Sequence, residues 1–182
     1  MNPIKVFGHT TPDTDTVVSA IVYAWYLNEI QKTPAESYIL GELNKETEYV
    51  LSTFNVDVPP VLEDVSDDDR VIIVDTNNPE ELPGNLANAT IVEIIDHHKL
   101  TGGITTQTPL SITMRPMAAT ASLIYTIFNP ELHDMPKGIA GILCSAILSD
   151  TLAFRSPTTT NEDKVIAEEL AEIAGINLQE HA

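Results

Sequence analysis

The chain has 182 residues, of which 43% are hydrophobic, and its 27 acidic residues outnumber nine Lys and Arg to give a formal net charge of −18. This composition predicts one globular domain and excludes an intrinsically disordered chain. It also argues against nucleic-acid binding, which depends on Lys and Arg, and against a membrane protein, since no apolar run approaches the roughly 20 residues that span a bilayer.

Strand-like and helix-like patterns alternate through the first half of the chain. Runs of β-branched residues predict strands, and apolar residues at helical spacing predict helices. In chain order the predicted elements are a strand Ile4–Phe7, a helix from Asp15 to about Lys32, a strand Ser37–Leu40, a helix Lys45–Phe54, and strands Val71–Val74, Ile91–Ile95 and Leu110–Met114. The last strand lies between prolines, which predicts a sheet edge. The alternation predicts an α/β fold with a doubly wound, mostly parallel sheet flanked by helices.

The second half of the chain is predicted to be helical. Asn129-Pro130 and Ser156-Pro157 mark turns between helices, and Gly175 lies where a C-terminal helix cap is expected. The predicted helices are Thr120–Phe128, Lys137–Ser149 and Glu162–Ala174.

Two other features are expected to be structural. Cys144, the single cysteine, lies in an apolar run and is predicted to be a core residue. The acidic run from Asp67 to Asp69 is predicted to be a solvated loop. With no disulfide possible within the chain and no signal-type segment at the N-terminus, we expect a cytoplasmic location.

Four polar stretches directly follow apolar runs, where an α/β protein places its chemistry. Taken alone, Asp13 and Asp15 also suit helix capping, and Asp75 could be a satisfied acid in a turn at the end of a strand. Capping does not explain His9. The residues of the four stretches are His9, Asp13 and Asp15, then Asp75, then Asp96, His97 and His98, and finally Asp150.

Mixed imidazole and carboxylate ligands favour Mn²⁺, Mg²⁺, Co²⁺ or Zn²⁺, and the lack of thiolates weighs against a structural zinc site. Six candidate ligands exceed what one open site needs. Two ions about 3.5–4 Å apart, bridged by one carboxylate, would use all six. The candidate ligands are His9, Asp13, Asp15, Asp75, His97 and Asp150.

These motifs resemble those of the DHH phosphoesterase superfamily, and more closely those of the family II, manganese-dependent inorganic pyrophosphatases. The sequence Pro-Asp-Thr-Asp-Thr is more specific than the DHH triplet, because the nanoRNA and cyclic-dinucleotide hydrolases of the superfamily tend to have Pro-Asp-Gly-Asp-Ala there. The matching stretches are Gly8–Thr16, Asp75, Asp96–His98 and Ser149–Thr151.

The resemblance implies hydrolysis of pyrophosphate to two phosphates by a metal-bridging hydroxide, with two Mn²⁺ per chain for which Co²⁺ or Mg²⁺ could substitute. It also implies a homodimer. Asp96 and His98 would be catalytic residues, His98 by facing pyrophosphate and Asp96 by orienting an imidazole. The implied metal ligands are His9 and Asp13 for one ion, Asp15, His97 and Asp150 for the other, and Asp75 as the bridge.

The chain departs from the resemblance in two ways. Thr76 stands where many members have His, a change that is not expected to remove a ligand. The family also has a C-terminal domain that closes over the substrate, whereas residues 1–182 match a single DHH catalytic domain, so we expect weak activity. Two alternatives stay open: a DHH phosphoesterase acting on polyphosphate or a nucleotide, and a metal-binding domain without turnover.

Overall fold

Five parallel strands form the centre of the molecule. The computed structural model describes residues 2–128 and 135–182, so the predicted turn at Asn129-Pro130 lies outside the described residues. The strands are β1 Ile4–Phe7, β2 Ala35–Ser37, β3 Arg70–Val74, β4 Thr90–Asp96 and β5 Ser111–Met114. They lie in the order β2-β1-β3-β4-β5, and every neighbouring pair is parallel. This arrangement confirms the predicted parallel sheet, with β5 at an edge.

One face of the sheet packs against α-helices. Val6, Ile72 and Ile95 on this face belong to one buried apolar cluster with residues of the first five helices. A short sixth helix, which the sequence did not predict, follows the cap at Gly175, where a φ of 73° confirms the left-handed conformation. The helices are α1 Thr14–Glu29, α2 Lys45–Thr53, α3 Thr120–Phe128, α4 Lys137–Asp150, α5 Asn161–Ala174 and α6 Leu178–His181.

The opposite face of the sheet is covered by shorter segments. Phe7, Val71 and Ile73 pack there against loop residues and against Leu86 of a 3₁₀ helix, Leu86–Asn88. Because both faces are buried, the central strand β3 is apolar from Val71 to Val74 rather than alternating.

The strand order changes direction at β1. From β1 the chain crosses by α1 to β2 on one side, whereas β3, β4 and β5 extend the sheet on the other side. In open α/β sheets the crevice at this point, beyond the carboxyl ends of the strands, is where ligands bind. The residues after β1 and β3 are therefore placed at the expected site edge.

Two elements have boundaries that differ from the prediction by more than one residue, and in each a side chain or a left-handed residue intervenes. The second strand is Ala35–Ser37 rather than Ser37–Leu40, since the amide of Asn28 bonds both backbone groups of Ala35, at 2.8 and 3.0 Å. Helix α1 ends at Glu29 rather than near Lys32, which has a φ of 53°.

The prediction of a solvated acidic loop is correct for Asp67 and Asp68 but wrong for Asp69, which is buried. Its carboxylate accepts hydrogen bonds from Lys5 Nζ at 2.7 Å and from the Ser66 backbone N–H at 2.8 Å. Burial opposes the charged form of Asp69, but these donors outweigh it and lower the pKa of the carboxyl group. Asp69 therefore anchors this loop to β1.

Cys144 is fully buried, as predicted, and burial raises the pKa of its thiol to about 12. We expect a disulfide reagent such as DTNB to leave the native protein unmodified at pH 8 and to modify one thiol per chain after denaturation, because the reactive thiolate is scarce and inaccessible. Rapid stoichiometric labelling of the native protein would contradict this placement.

No helix in the described part of the chain combines the length and the apolar character needed to cross a membrane.

Candidate metal centre

The turn after β1 depends on Gly8, which has no side chain. A Cβ atom there would lie 2.5 Å from Thr16 Cγ2 and 2.7 Å from the Val74 carbonyl oxygen, closer than atoms can approach. Glycine thus lets the end of β1 pass between α1 and the end of β3. This close passage places His9 beside Asp75, with 3.4 Å between His9 Nε2 and Asp75 Oδ2.

Two aspartates of this turn cap two different helices. Asp13 is the N-cap of α1 and accepts a hydrogen bond from the Thr16 N–H at 2.9 Å, while half of its side chain stays exposed. Asp15 is fully buried and accepts from the backbone N–H groups of Thr120 and Ala121, at 2.6 and 2.8 Å, where α3 begins. The predicted capping of α1 is therefore present for Asp13, whereas Asp15 caps α3, which was not predicted. These contacts fix both carboxylates without using all of their lone pairs.

Asp75 follows β3 in a left-handed conformation, with a φ of 62°, and is almost completely buried. Its Oδ2 accepts a hydrogen bond from Thr16 Oγ1 at 2.5 Å, and its Oδ1 accepts one from Thr120 Oγ1 at 2.9 Å. Positive φ is uncommon outside glycine and, where the surroundings enforce it, often marks a functional site. The two hydroxyls direct one carboxylate oxygen to each side of the residue.

The first ligand group gathers on the Oδ2 side of Asp75. His9 Nε2 lies 3.4 Å from Asp75 Oδ2 and 3.7 Å from Asp13 Oδ2. Ligand atoms of these three residues all lie within 4.8 Å of one another, close enough to surround one cation.

The second ligand group gathers on the Oδ1 side of Asp75. His97 Nε2 lies 3.4 Å from Asp75 Oδ1, 3.9 Å from Asp15 Oδ2 and 3.8 Å from Asp150 Oδ2. His97, Asp15 and Asp150 also have ligand atoms within 4.8 Å of one another. All six predicted ligands thus lie in these two groups, and Asp75 has one carboxylate oxygen facing each of them. Ligand atoms of Asp75, His97 and His98 also lie within 4.8 Å of one another.

The tautomer of His97 indicates that this second group suits a cation. Its Nδ1 lies 2.9 Å from the carbonyl oxygen of Met117, which can only accept, so Nδ1 carries the hydrogen. Nε2 is buried and has no hydrogen-bond partner among the described residues. In the neutral ring the lone pair of Nε2 therefore faces three carboxylates, an arrangement that a divalent cation would stabilise.

Without a cation the second group is expected to hold extra protons. Burial and repulsion by Asp75 raise the pKa of Asp15 well above its ordinary value and that of Asp150 to about 7. Burial alone would lower the pKa of His97, but attraction by Asp75 prevails and raises it to about 9. The carboxylates of this group thus repel one another, and a bound proton or cation would stabilise them.

Asp96, the last residue of β4, orients His98. Its Oδ1 accepts hydrogen bonds from the backbone N–H of His98 at 3.0 Å and from His98 Nδ1 at 2.8 Å, and these contacts raise the pKa of His98. About half of the His98 side chain is exposed. His98 therefore presents its other ring nitrogen away from Asp96, on the open side of the site.

Asn77 holds this arrangement in place and was not predicted from the sequence. Its Nδ2 donates to Asp96 Oδ2 at 2.6 Å and to the Lys99 carbonyl oxygen at 3.0 Å. Its Oδ1 accepts from the backbone N–H and the Oγ1 of Thr101, both at 2.8 Å. This buried amide uses both donors and both lone pairs, so it fixes the loop that carries His97 and His98.

A cavity of about 320 Å³ opens beside the two ligand groups and is lined by His9, His98 and Lys99, among others. Thr76 also lines it, and its hydroxyl donates to Glu81 Oε2 at 2.6 Å. Thr76 therefore contributes to the wall of the cavity and belongs to neither ligand group.

Comparison with known proteins assigns this arrangement to a family. The model of the DHH family, N-terminal domain, matches residues 3–147. A protein of Shouchella clausii named "Probable manganese-dependent inorganic pyrophosphatase" is 42% identical over 177 residues, which cover 97% of this chain and 56% of that protein. The chain thus spans little more than half the length of this relative.

Solved structures agree with this assignment. The crystal structure of a candidate family II inorganic pyrophosphatase from Methanococcus jannaschii superposes with a TM-score of 0.88 at 37% identity, covering 97% of this chain and 59% of that one. An exopolyphosphatase-related protein from Bacteroides fragilis has a TM-score of 0.75 at 16% identity, covering 98% and 54%. At that identity the second likeness concerns the fold alone.

Proposed function

Because this chain belongs to the DHH family, we propose that its metal centre hydrolyses inorganic pyrophosphate to two phosphates with bound Mn²⁺. The observation that carries the proposal is the position of Asp75 between the two ligand groups, with Oδ2 3.4 Å from His9 Nε2 and Oδ1 3.4 Å from His97 Nε2. The proposal is supported by the similarity to relatives named as manganese-dependent pyrophosphatases.

The proposed assignment uses each side of Asp75 for one ion, with two Mn²⁺ per chain, and Co²⁺ or Mg²⁺ is expected to substitute. When bound, two divalent cations lower the pKa of water and stabilise the charge that develops on phosphate oxygens. The proposed ligands are His9 and Asp13 on one side, Asp15, His97 and Asp150 on the other, and Asp75 between them.

The remaining polar residues would bind and orient pyrophosphate. His98, with a raised pKa and its Nδ1 held by Asp96, is placed to donate a hydrogen bond to a phosphate oxygen from the cavity wall. Lys99 lines the same cavity and supplies a positive charge. Together they would offset part of the substrate's negative charge where the transition state requires it.

The test compares phosphate release from pyrophosphate, a nucleoside triphosphate and tripolyphosphate, each with Mn²⁺ and with EDTA. We expect metal-dependent release mainly from pyrophosphate. Residues 1–182 by themselves are expected to be slow, because the protein carries a net charge of −18 and Lys99 is the one Lys or Arg among the described residues lining the cavity. Preference for a nucleotide or for polyphosphate would favour the alternative phosphoesterase, and metal binding without any release would favour a binding domain.

The affinity for Mn²⁺ should decrease as the pH is lowered, because binding requires neutral His97 and ionised Asp15 and Asp150. With the pKa of His97 raised to about 9 and that of Asp150 to about 7, affinity should decrease as the pH drops from 9 to below 7. Calorimetric titrations at pH 7 in two buffers of different protonation enthalpy should show net proton release. Equal apparent enthalpies in both buffers would contradict this.

We also propose a homodimer formed through the edge strand β5. Outside its pairing with β4 this strand leaves one row of backbone groups free for another strand, and Ile112 is 55% exposed. Light scattering at micromolar concentration is expected to give twice the chain mass of 19.9 kDa. A monomer would exclude this assembly.

The cytoplasmic location and the lack of nucleic-acid binding stay predictions.

A further inference from the structure

Glu46, a residue outside both ligand groups, connects two elements that carry ligands. It lies in the first turn of α2, and its Oε1 accepts a hydrogen bond from Thr14 Oγ1 at 2.6 Å and another from Ser149 Oγ at 2.5 Å. Thr14 is buried and has one hydroxyl hydrogen, which it gives to Glu46, so the 3.1 Å contact with Thr47 Oγ1 is donated by Thr47. One carboxylate oxygen thus joins the start of α1 to the end of α4.

The two hydroxyl residues directly precede two members of the second ligand group. Thr14 precedes Asp15 in the first turn of α1, and Ser149 precedes Asp150 in the last turn of α4. Both aspartates gather around His97 Nε2, at 3.9 and 3.8 Å. The contact with Glu46 therefore fixes the separation of the two helix ends on which these carboxylates lie.

The two aspartates differ in how else they are held. Asp15 also accepts two backbone hydrogen bonds from α3. No described residue donates a hydrogen bond to the carboxylate of Asp150, and the chain after it passes through three consecutive residues with positive φ, Leu152 to Phe154. The position of Asp150 consequently depends on where α4 ends. The Thr151 hydroxyl donates to the Ile147 carbonyl oxygen within that end at 2.6 Å, and the Ser149 hydroxyl ties the last turn of α4 to α2 through Glu46.

We propose that Glu46 is a positioning residue for the second ligand group: it holds Asp15 and Asp150 at the spacing that one divalent cation needs. The inference rests on the metal centre of the proposed function. The first group, with His9 and Asp13, makes no contact with Glu46 and is held by the cap of α1 and by Asp75. Loss of the Glu46 contacts should therefore affect one ion and not the other.

The test is a calorimetric Mn²⁺ titration of the chain and of its Glu46→Ala and Glu46→Gln variants, with Glu48→Ala as the matched control. Glu48 lies in the same turn of α2, is exposed, and makes no side-chain contact with either ligand group. Residues that orient metal ligands typically change affinity by about 10- to 100-fold when removed. We expect Glu46→Ala to lower the affinity for one of the two Mn²⁺ ions by about that factor. The affinity for the other ion should stay within about 3-fold of its value in the unchanged chain.

The Mn²⁺ affinities of Glu46→Gln should stay within about 3-fold of those of the unchanged chain at both sites. Its amide oxygen can still accept hydrogen bonds from both hydroxyls. A further variant, Ser149→Ala, should lower the affinity for the same ion as Glu46→Ala does. Combining the two changes should cause no further loss of affinity. The inference would be overturned if Glu46→Ala lowered the affinity for both ions equally or for neither. It would also be overturned if Glu46→Gln lost as much affinity as Glu46→Ala. Failure of the unchanged chain to bind two Mn²⁺ would instead refute the proposed function.

Discussion

Replacement of Asp75 by alanine is expected to weaken the binding of both metal ions by at least about 100-fold and to abolish pyrophosphate turnover. Removing residues that merely orient ligands already costs about 10- to 100-fold, and Asp75 contributes an oxygen to each ligand group. The carboxylate also accepts hydrogen bonds from Thr16 and Thr120, so its removal leaves two buried hydroxyl groups without their acceptor. Metal analysis of the dialysed variant, beside an activity assay, measures both effects.

His98→Ala is the matched variant for this experiment. In the unchanged chain the His98 ring is hydrogen-bonded to Asp96 and half-exposed at the cavity. The distance from His98 Nδ1 to Asp75 Oδ1 is 3.7 Å. We expect metal content near that of the unchanged chain, with reduced turnover or a raised KM, since the lost contact is with substrate. Equal loss of metal from both variants would reject the distinction between a shared ligand and a substrate-facing residue.

The second large effect is expected for Asp15→Ala, which should destabilise the protein even without metal. The change leaves the buried N–H groups of Thr120 and Ala121 without their acceptor, and each unsatisfied group costs about 1–3 kcal/mol. Removing Asp15 also relieves its repulsion by Asp75, which offsets part of this cost. We therefore expect the free energy of unfolding in EDTA to fall by about 2 kcal/mol, and the variant loaded with Mn²⁺ to hold one ion fewer per chain. Urea denaturation followed by circular dichroism measures the change.

Asp13→Ala provides the comparison, because Asp13 caps α1 but is half-exposed. Losing an N-cap costs about 1 kcal/mol, so this variant should lose the other metal ion with a smaller change in stability. If Asp13→Ala were as destabilising in EDTA as Asp15→Ala, the helix-anchoring role of Asp15 would be wrong.

Local sequence patterns predicted most of the fold. The β-branched runs ending at Val74 and Ile95 indicated strands buried on both faces, and alternation with helices indicated the parallel sheet. The six candidate ligands could be found because each is a charged or imidazole side chain placed directly after an apolar element. The proximity of those after β1, β3 and β4 is expected because the carboxyl ends of parallel strands meet at one edge. Asp150 instead ends helix α4, and its place among the ligands was implied by the family resemblance.

The supporting residues could not be predicted in the same way. Asn77, Thr120 and Glu46 are common polar residues whose role depends on contacts with residues 19 to 103 positions away in the chain. Asn77 had a weak signal, an amide two residues after Asp75 at the end of a strand. Thr120 and Glu46 lie in the first turns of predicted helices, where polar residues are ordinary.

Electron paramagnetic resonance of the chain loaded with Mn²⁺ tests the central claim most directly, because ions that share one carboxylate interact magnetically. We expect two ions per chain with a spin-coupled spectrum that Asp75→Ala eliminates, consistent with a separation of about 3.5–4 Å. One ion per chain, or two ions with the spectrum of isolated Mn²⁺, would contradict a centre built on the two sides of Asp75.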